Sequence, residues 1–292
     1  MKRSTSLFAI TGLLISVVFL TGFSVFTVFA AEPAAVPPVA VVVVNQSFTT
    51  PGAVLAYLDT HRQALRPADY DGLILQLLDL QAKLQPQYEA ELFSDAVNPK
   101  INRYPPQVVL ENQNIKEANI RELIQKIRQD GFKLSWAEGM VYIESDYPLM
   151  NTRYGKSVSK RLAGYLQIMA AETTRHFAAD ASLTIPVNTV SDRIVRIEAF
   201  LNTNPDFAKN TQLRQLMKNY VSAYLLGLNN SPAFDYQTLR LNDSFRSSYQ
   251  RTIKQYPRTK LGTLVGDYLK LLEQHNYRRT QAILDYVTKN TQ

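Results

Sequence analysis

Carboxylates are the residues of this chain whose spacing could do chemistry. Glu138, Glu144 and Asp146 fall close together, beside Trp136, Tyr142 and Tyr147. A carboxyl packed against aromatic rings loses hydration, which disfavours its charged form and can lift its pKa into the range of a general acid. The opposing expectation is structural: Glu138 and Gly139 make a hairpin turn, and Glu144 and Asp146 stand in solvent at a strand end. Other chemistries have less to work with. The chain has no cysteine, which removes thiol nucleophiles, cysteine zinc sites, iron–sulfur clusters and disulfides together. Its histidines, His61, His176 and His275, lie far apart and in no metal-ligand spacing. Glu172 and His176 are four apart on one helix and read as a surface pair. Ser157-Val158-Ser159-Lys160 spells a serine–lysine nucleophile by letter, but no partner motif follows, so Ser157 reads as a helix cap. The 11 glycines are spread thinly, with no phosphate cradle or dinucleotide fingerprint among them. No metal and no cofactor is expected.

Ser135-Trp136-Ala137, then Glu144-Ser145, and later Gly164-Tyr165-Leu166-Gln167-Ile168-Met169 resemble the lytic transglycosylase pattern over about 35 residues. In that family a helix ends at a catalytic Glu-Ser pair, and a Gly-Leu-Met-Gln turn follows. The resemblance implies a peptidoglycan-cleaving enzyme with Glu144 as its acid. The chain departs from the pattern in three places. Residues before Glu144 alternate like strands, Gly164–Met169 continues an amphipathic helix, and the later Tyr-Asn-Ala-Gly-type signature is missing. The backbone at 132–145 discriminates: strands argue against the enzyme, and a helix ending at Glu144 argues for it.

Charge supplies the binding candidates. Between residues 240 and 260 stand Arg240, Arg246, Arg251, Lys254, Arg258 and Lys260, with Asp243 the one acid. A helix near 243–256 would put Tyr249 and Tyr256 on the apolar stripe with Phe245 and Ile253, leaving the cations around an exposed side. In a cytosolic protein such a run suggests nucleic acid. Outside the cytoplasm, where the N-terminus directs this chain, no nucleic acid is expected. The polyanions there are lipid surfaces, wall polymers and acidic polysaccharides, or the partner is another envelope protein. The binding residues are then Arg246, Arg251, Lys254, Arg258 and Lys260.

That address rests on Lys2 and Arg3 followed by an uncharged apolar stretch, Leu7–Leu20, of signal-peptide length. Val28-Phe29-Ala30 places cleavage after Ala30 and a mature terminus at Ala31. The alternative is retention, since residues 7–31 are long enough to anchor the chain in a bilayer. In both cases the bulk lies outside the cytoplasm.

The 292 residues are 46% apolar and 20% charged, with a net charge of +7, which is globular composition. After a linker at 31–50, a helix starts at Thr50-Pro51, and Asp69 can cap a second, strongly apolar helix that Pro86 ends or kinks. Three prolines in 96–109 make 96–111 a second linker between a helical subdomain at 51–95 and a main domain at 112–292. Helices are expected near 112–130, 157–178, 191–203, 208–228, 243–256, 259–275 and 280–289. Residues 132–145 change to a period of two and read as a β-hairpin. Placing Pro205 over Pro257 brings Ile197, Leu201, Leu213 and Tyr220 over Tyr249, Ile253, Val265 and Leu272, at an offset of 52. The fold expected is mainly α, built of helical hairpins in an α-solenoid-like arrangement, with one small β-hairpin. The function expected is a secreted or envelope-associated binding or scaffold protein without catalysis, the alternative being the transglycosylase-like enzyme.

Overall fold

A computed structural model describes residues 47–291. The expected signal peptide, its cleavage after Ala30 and most of the linker at 31–50 lie outside the described residues. Helix α1, Pro51–Thr60, starts as expected: the Thr50 hydroxyl accepts the Ala53 N–H at 3.3 Å. Helix α2 runs Pro67–Leu92. Asp69 is its third residue and not its cap. Its carboxylate reaches back to the N–H of Arg66 at 3.0 Å, the acidic half of a capping box. The helix also passes straight through Pro86. Pro86 and Ala82, four residues earlier, are both exposed, so the carbonyl that loses its partner faces water.

Helix α2 is long because it serves two hydrophobic cores. Its N-terminal half gives Leu73, Ile74 and Leu77 to the larger one. Its C-terminal half gives Tyr88 and Leu92 to the smaller one. The smaller core takes in the segment expected as a linker. Residues there fold into α3, Asn98–Ile101, and α4, Pro106–Glu111, and bury Val97, Ile101 and Val109. Three prolines hid this because short proline-started helices bury single residues and have no period to read.

Helix α5, Ala118–Gln129, puts Ile120, Ile124 and Ile127 into the same core and stops before Gly131, whose φ of 77° suits glycine. The expected hairpin follows: β1, Phe132–Ala137, pairs antiparallel with β2, Met140–Ser145, around a turn with positive φ at Glu138 and Gly139. Phe132, Leu134, Val141 and Ile143 point into the smaller core. With a period of two, Lys133, Ser135, Tyr142 and Glu144 must share the other face.

The rest is helical. It comprises α6, Tyr147–Tyr154; α7, Lys160–Thr174; α8, Val187–Thr203; α9, Asn210–Leu226; α10, Asp243–Gln255; α11, Lys260–Gln274; and α12, Gln281–Thr291. Ser159, and not Ser157, caps α7 by accepting the Leu162 N–H at 3.2 Å. The α8–α9 and α10–α11 hairpins turn in the same way. Asn204 has φ −134° and ψ 61°, and Tyr256, 52 positions on, has φ −125° and ψ 46°. Their first helices pack side by side, and α12 closes the row against α9 and α11.

Two-residue ladders between the helices join the row along one edge. Strands β3, Ala178–Ala179, and β4, Ser182–Leu183, form one; β5, Gly227–Leu228, and β6, Ser231–Pro232, form the next. Asn230 N–H donates to the Ala181 carbonyl at 2.8 Å and ties them together. The fold is mainly α with small β-hairpins. Among the described residues no helix is long and apolar enough to cross a membrane.

Candidate functional site

Glu144 does not stand in solvent. Its side chain is 14% exposed, on the polar face of β2, where the hairpin lies against the end of α7. Ser135 Oγ donates to Glu144 Oε1 at 2.5 Å, Lys133 Nζ stands 3.1 Å from the same oxygen, and His176 Nε2 stands 3.0 Å from Oε2. Lys133 also reaches the Thr173 carbonyl at the end of α7. The strand pairing explains the set: Lys133 lies directly across from Glu144, and Ser135 from Tyr142.

The imidazole of His176 bridges two carboxylates. Its Nδ1 is 3.4 Å from Glu172 Oε1. Glu172 is buried and His176 half-buried, so the pair expected on the surface reaches into the interior. Glu172 also accepts the Phe177 N–H at 3.2 Å, Arg193 Nη1 at 2.9 Å, and the Tyr220 hydroxyl. Arg193, on α8, is held further by the carbonyls of Arg175 and Ala171, each at 2.9 Å. One polar network thus fastens the hairpin, α7, α8 and α9 to each other.

The charges follow from the geometry. Burial pushes the Glu144 carboxyl up, but hydrogen bonds from His176 and Ser135 and the charges of His176 and Lys133 outweigh it, and its pKa falls below the usual value. Glu172 behaves alike: burial raises it, while His176, Tyr220, the Phe177 amide and Arg193 lower it further. His176 is raised to about 9, chiefly by its hydrogen bonds to Glu144 and Glu172, against the opposing effect of burial. Near neutral pH both carboxylates are ionised and the imidazole is protonated. A general acid needs the reverse, a carboxyl kept neutral by its surroundings.

The residues that carry the transglycosylase resemblance are differently built here. Glu144 lies in a strand, and Gly164–Met169 lies inside α7. Glu138 is exposed at the hairpin turn. Asp146 caps α6, accepting the Leu149 N–H at 2.9 Å. Among the described residues no group of His, Asp and Glu is placed to hold a metal ion.

The five basic candidates separate into two kinds. Arg251 is spent on Asp192 of α8, with Nη1 to Oδ1 at 2.9 Å and Nη2 to Oδ2 at 3.2 Å, and the Tyr256 hydroxyl joins at 2.7 Å. Arg246 lies over the ring of Tyr277, 4.1 Å from its centre. Arg251 thus ties α10 to α8, and Arg246 ties α10 to the turn that follows α11. Lys254, Arg258 and Lys260 are exposed around the α10–α11 turn and make no ion pair among the described residues. The backbone amides of this turn are already occupied, because buried Glu198 of α8 accepts the N–H groups of Lys260 and Leu261 at 2.8 and 3.1 Å. Tyr249 faces the core as expected, wedged edge-on between Tyr224 and Tyr268.

Nothing in the sequence marks Arg193, and periodicity places Tyr220 on the apolar stripe of its helix without showing that its hydroxyl joins this network. A signal for half of the network was present: the shared face of Lys133, Ser135, Tyr142 and Glu144 follows from strand alternation alone. Comparison with known proteins matches the chain to no family model, no curated protein and no solved structure.

Proposed function

We propose that the chain is a secreted or envelope-associated binding protein without catalytic activity, and that its α10–α11 turn rests on an anionic partner outside the cytoplasm. The observation that carries this reading is the trio Lys254, Arg258 and Lys260, three cations on one exposed turn with no ion-pair partner among the described residues. Opposite charge at such a place draws polyanions without demanding a fitted pocket. The ionised, fully engaged state of Glu144 supports the non-catalytic half of the proposal.

The test is retention on a dextran sulfate column. Wild-type protein should bind at low ionic strength and elute as salt rises, since the screening length shrinks to about 8 Å at physiological ionic strength. The variant Lys254→Glu, Arg258→Glu, Lys260→Gln should bind about a hundredfold more weakly at low salt, as each surface cation contributes on the order of 1 kcal/mol. Lys260 is neutralised and not reversed because Glu198 already fills the start of α11. Arg246 and Arg251 are left alone, since changing them would loosen the fold. Unchanged retention of the triple variant would remove the turn as the contact surface.

A further inference from the structure

A second basic feature lies on another part of the row, in the groove between α6, α7 and α8. The groove is shallow and open to solvent, spans about 640 Å³ and is lined by Arg175, Arg193 and Arg196, with no acidic side chain in its wall. Arg193 and Arg196 are three apart on α8 and project to the same side. Arg175 follows directly on the end of α7.

Arg193 is pre-set for recognition. Its contacts to Glu172, Tyr220 and the carbonyls of Ala171 and Arg175 fix the plane of the guanidinium. They leave its Nε–H and one Nη2–H unspent. Arg175 and Arg196 are exposed and have no acidic partner among the described residues. The buried network behind the groove does not cancel this charge. It holds two carboxylates, Glu144 and Glu172, against three cations, Lys133, His176 and Arg193.

The rest of the wall says which anion fits. Asn151, Gln167 and Thr174 offer amide and hydroxyl groups, and Ala170 and Ala171 make a low floor between them. No aromatic side chain lines the groove, so it lacks the stacking platforms that single-stranded nucleic acid uses. It is shallow and open along its outer side, so an extended strand can lie along it, and the vesicle arm of the experiment below separates a strand from a lipid surface. From Gln167 to Thr174 the floor runs about 10 Å along α7 at the helical rise, room for successive units of an extended strand. Guanidinium forks match phosphate oxygens, and the amides and hydroxyls match sugar or polyol hydroxyls.

We infer that the α6–α7–α8 groove binds an extended polyol-phosphate strand, with Arg193 as the fixed contact and Arg175 and Arg196 closing on the phosphates from either side. This deepens the binding reading above by naming a polymer class, but it uses a different surface, so the two can fail separately.

The experiment measures binding of poly(glycerol phosphate) and of phosphatidylglycerol vesicles to four proteins: wild type, Arg175→Glu/Arg196→Glu, the α10–α11 turn variant, and Gln167→Trp. Gln167 is exposed, so tryptophan there fills the groove without changing charge or core. Far-UV circular dichroism and thermal unfolding confirm folding of each. The polymer should bind about tenfold more weakly to the double arginine variant, as expected when two charge-assisted phosphate contacts are reversed, and also more weakly to Gln167→Trp. Vesicle binding should be untouched by Gln167→Trp. Polymer binding that survives both groove variants overturns the inference. If it is lost only in the turn variant, the groove is dismissed and the turn stands. If vesicles and polymer respond alike to every variant, the surface reads charge alone and the strand-binding groove is wrong. If wild type binds neither probe, the groove and the anionic turn are both overturned.

Discussion

Replacing Glu172 with alanine should destabilise the protein by about 3–5 kcal/mol, the usual cost of removing one partner from a buried ion pair. Among the described residues the carboxylate of Glu172 is the only acid touching Arg193, and one of two on His176. Without it, the Tyr220 hydroxyl and the Phe177 amide also lose their acceptor in the interior. Glu172→Gln keeps the shape and two of the hydrogen bonds, so it should cost less than alanine. Equilibrium denaturation followed by circular dichroism measures both. For a domain of this size the alanine variant should unfold about 10 °C lower. A loss under about 1 kcal/mol would mean that the network is a surface pairing after all.

The second large effect is one of pH. Removing His176 should cost about 1.5–3 kcal/mol near pH 6, as expected for a hydrogen bond between charged groups. The groups around it are Glu144 and Lys133 from the hairpin, Glu172 from the end of α7, which His176 follows, and Arg193 and Tyr220 from α8 and α9. The folded-state pKa is raised from 6.5 to about 9. The stabilisation from His176 is therefore full below pH 6.5 and is lost as pH rises through about 9. Glu144 and Glu172 work in the other direction. Their folded pKa values lie below the ordinary 4.5, so their contribution is full above pH 4.5 and is lost on acidification through the lowered values. The stability difference between wild type and His176→Gln should be widest between pH 4.5 and 6.5 and should close above pH 9. A difference that does not change between pH 6 and 10 would contradict the bridging geometry.

The helical part of this fold is written plainly in the sequence, because a buried stripe repeats every three or four residues. Leu213 and Tyr220 on α9, or Val265 and Leu272 on α11, are buried where periodicity places them. The hairpin at 132–145 is equally legible from alternation. Helix α6 is not. It has eight residues, and its buried set is Tyr147, Met150 and Tyr154, too short a run to show a period beside a strand. The ladders at 178–183 and 227–232 are hidden for the same reason. The polar network escaped because its members meet only in three dimensions. Glu144 and His176 are 32 positions apart, and Glu172 and Tyr220 are 48 apart. A charge run, likewise, shows which cations exist but not which are taken: Asp192 claims Arg251 from 59 positions away.

That difference matters most for Glu144. Read as a strand-end residue in water, it would tolerate glutamine with almost no effect. Held by His176, Lys133 and Ser135, it should lose about 1.5–3 kcal/mol on the same change, the worth of a charged hydrogen bond. Stability alone does not separate a structural carboxylate from a catalytic one, since both kinds are found paired in resting proteins. Turnover does.

The most direct measurement incubates purified wild-type and Glu144→Gln protein with insoluble peptidoglycan, and reads both the protein that sediments and the soluble fragments released. A binding protein sediments with the polymer in a salt-dependent way and releases no fragments, and Glu144→Gln, once folded, sediments equally well. Release of fragments by wild type, abolished in folded Glu144→Gln, would contradict the account and make Glu144 a catalytic acid.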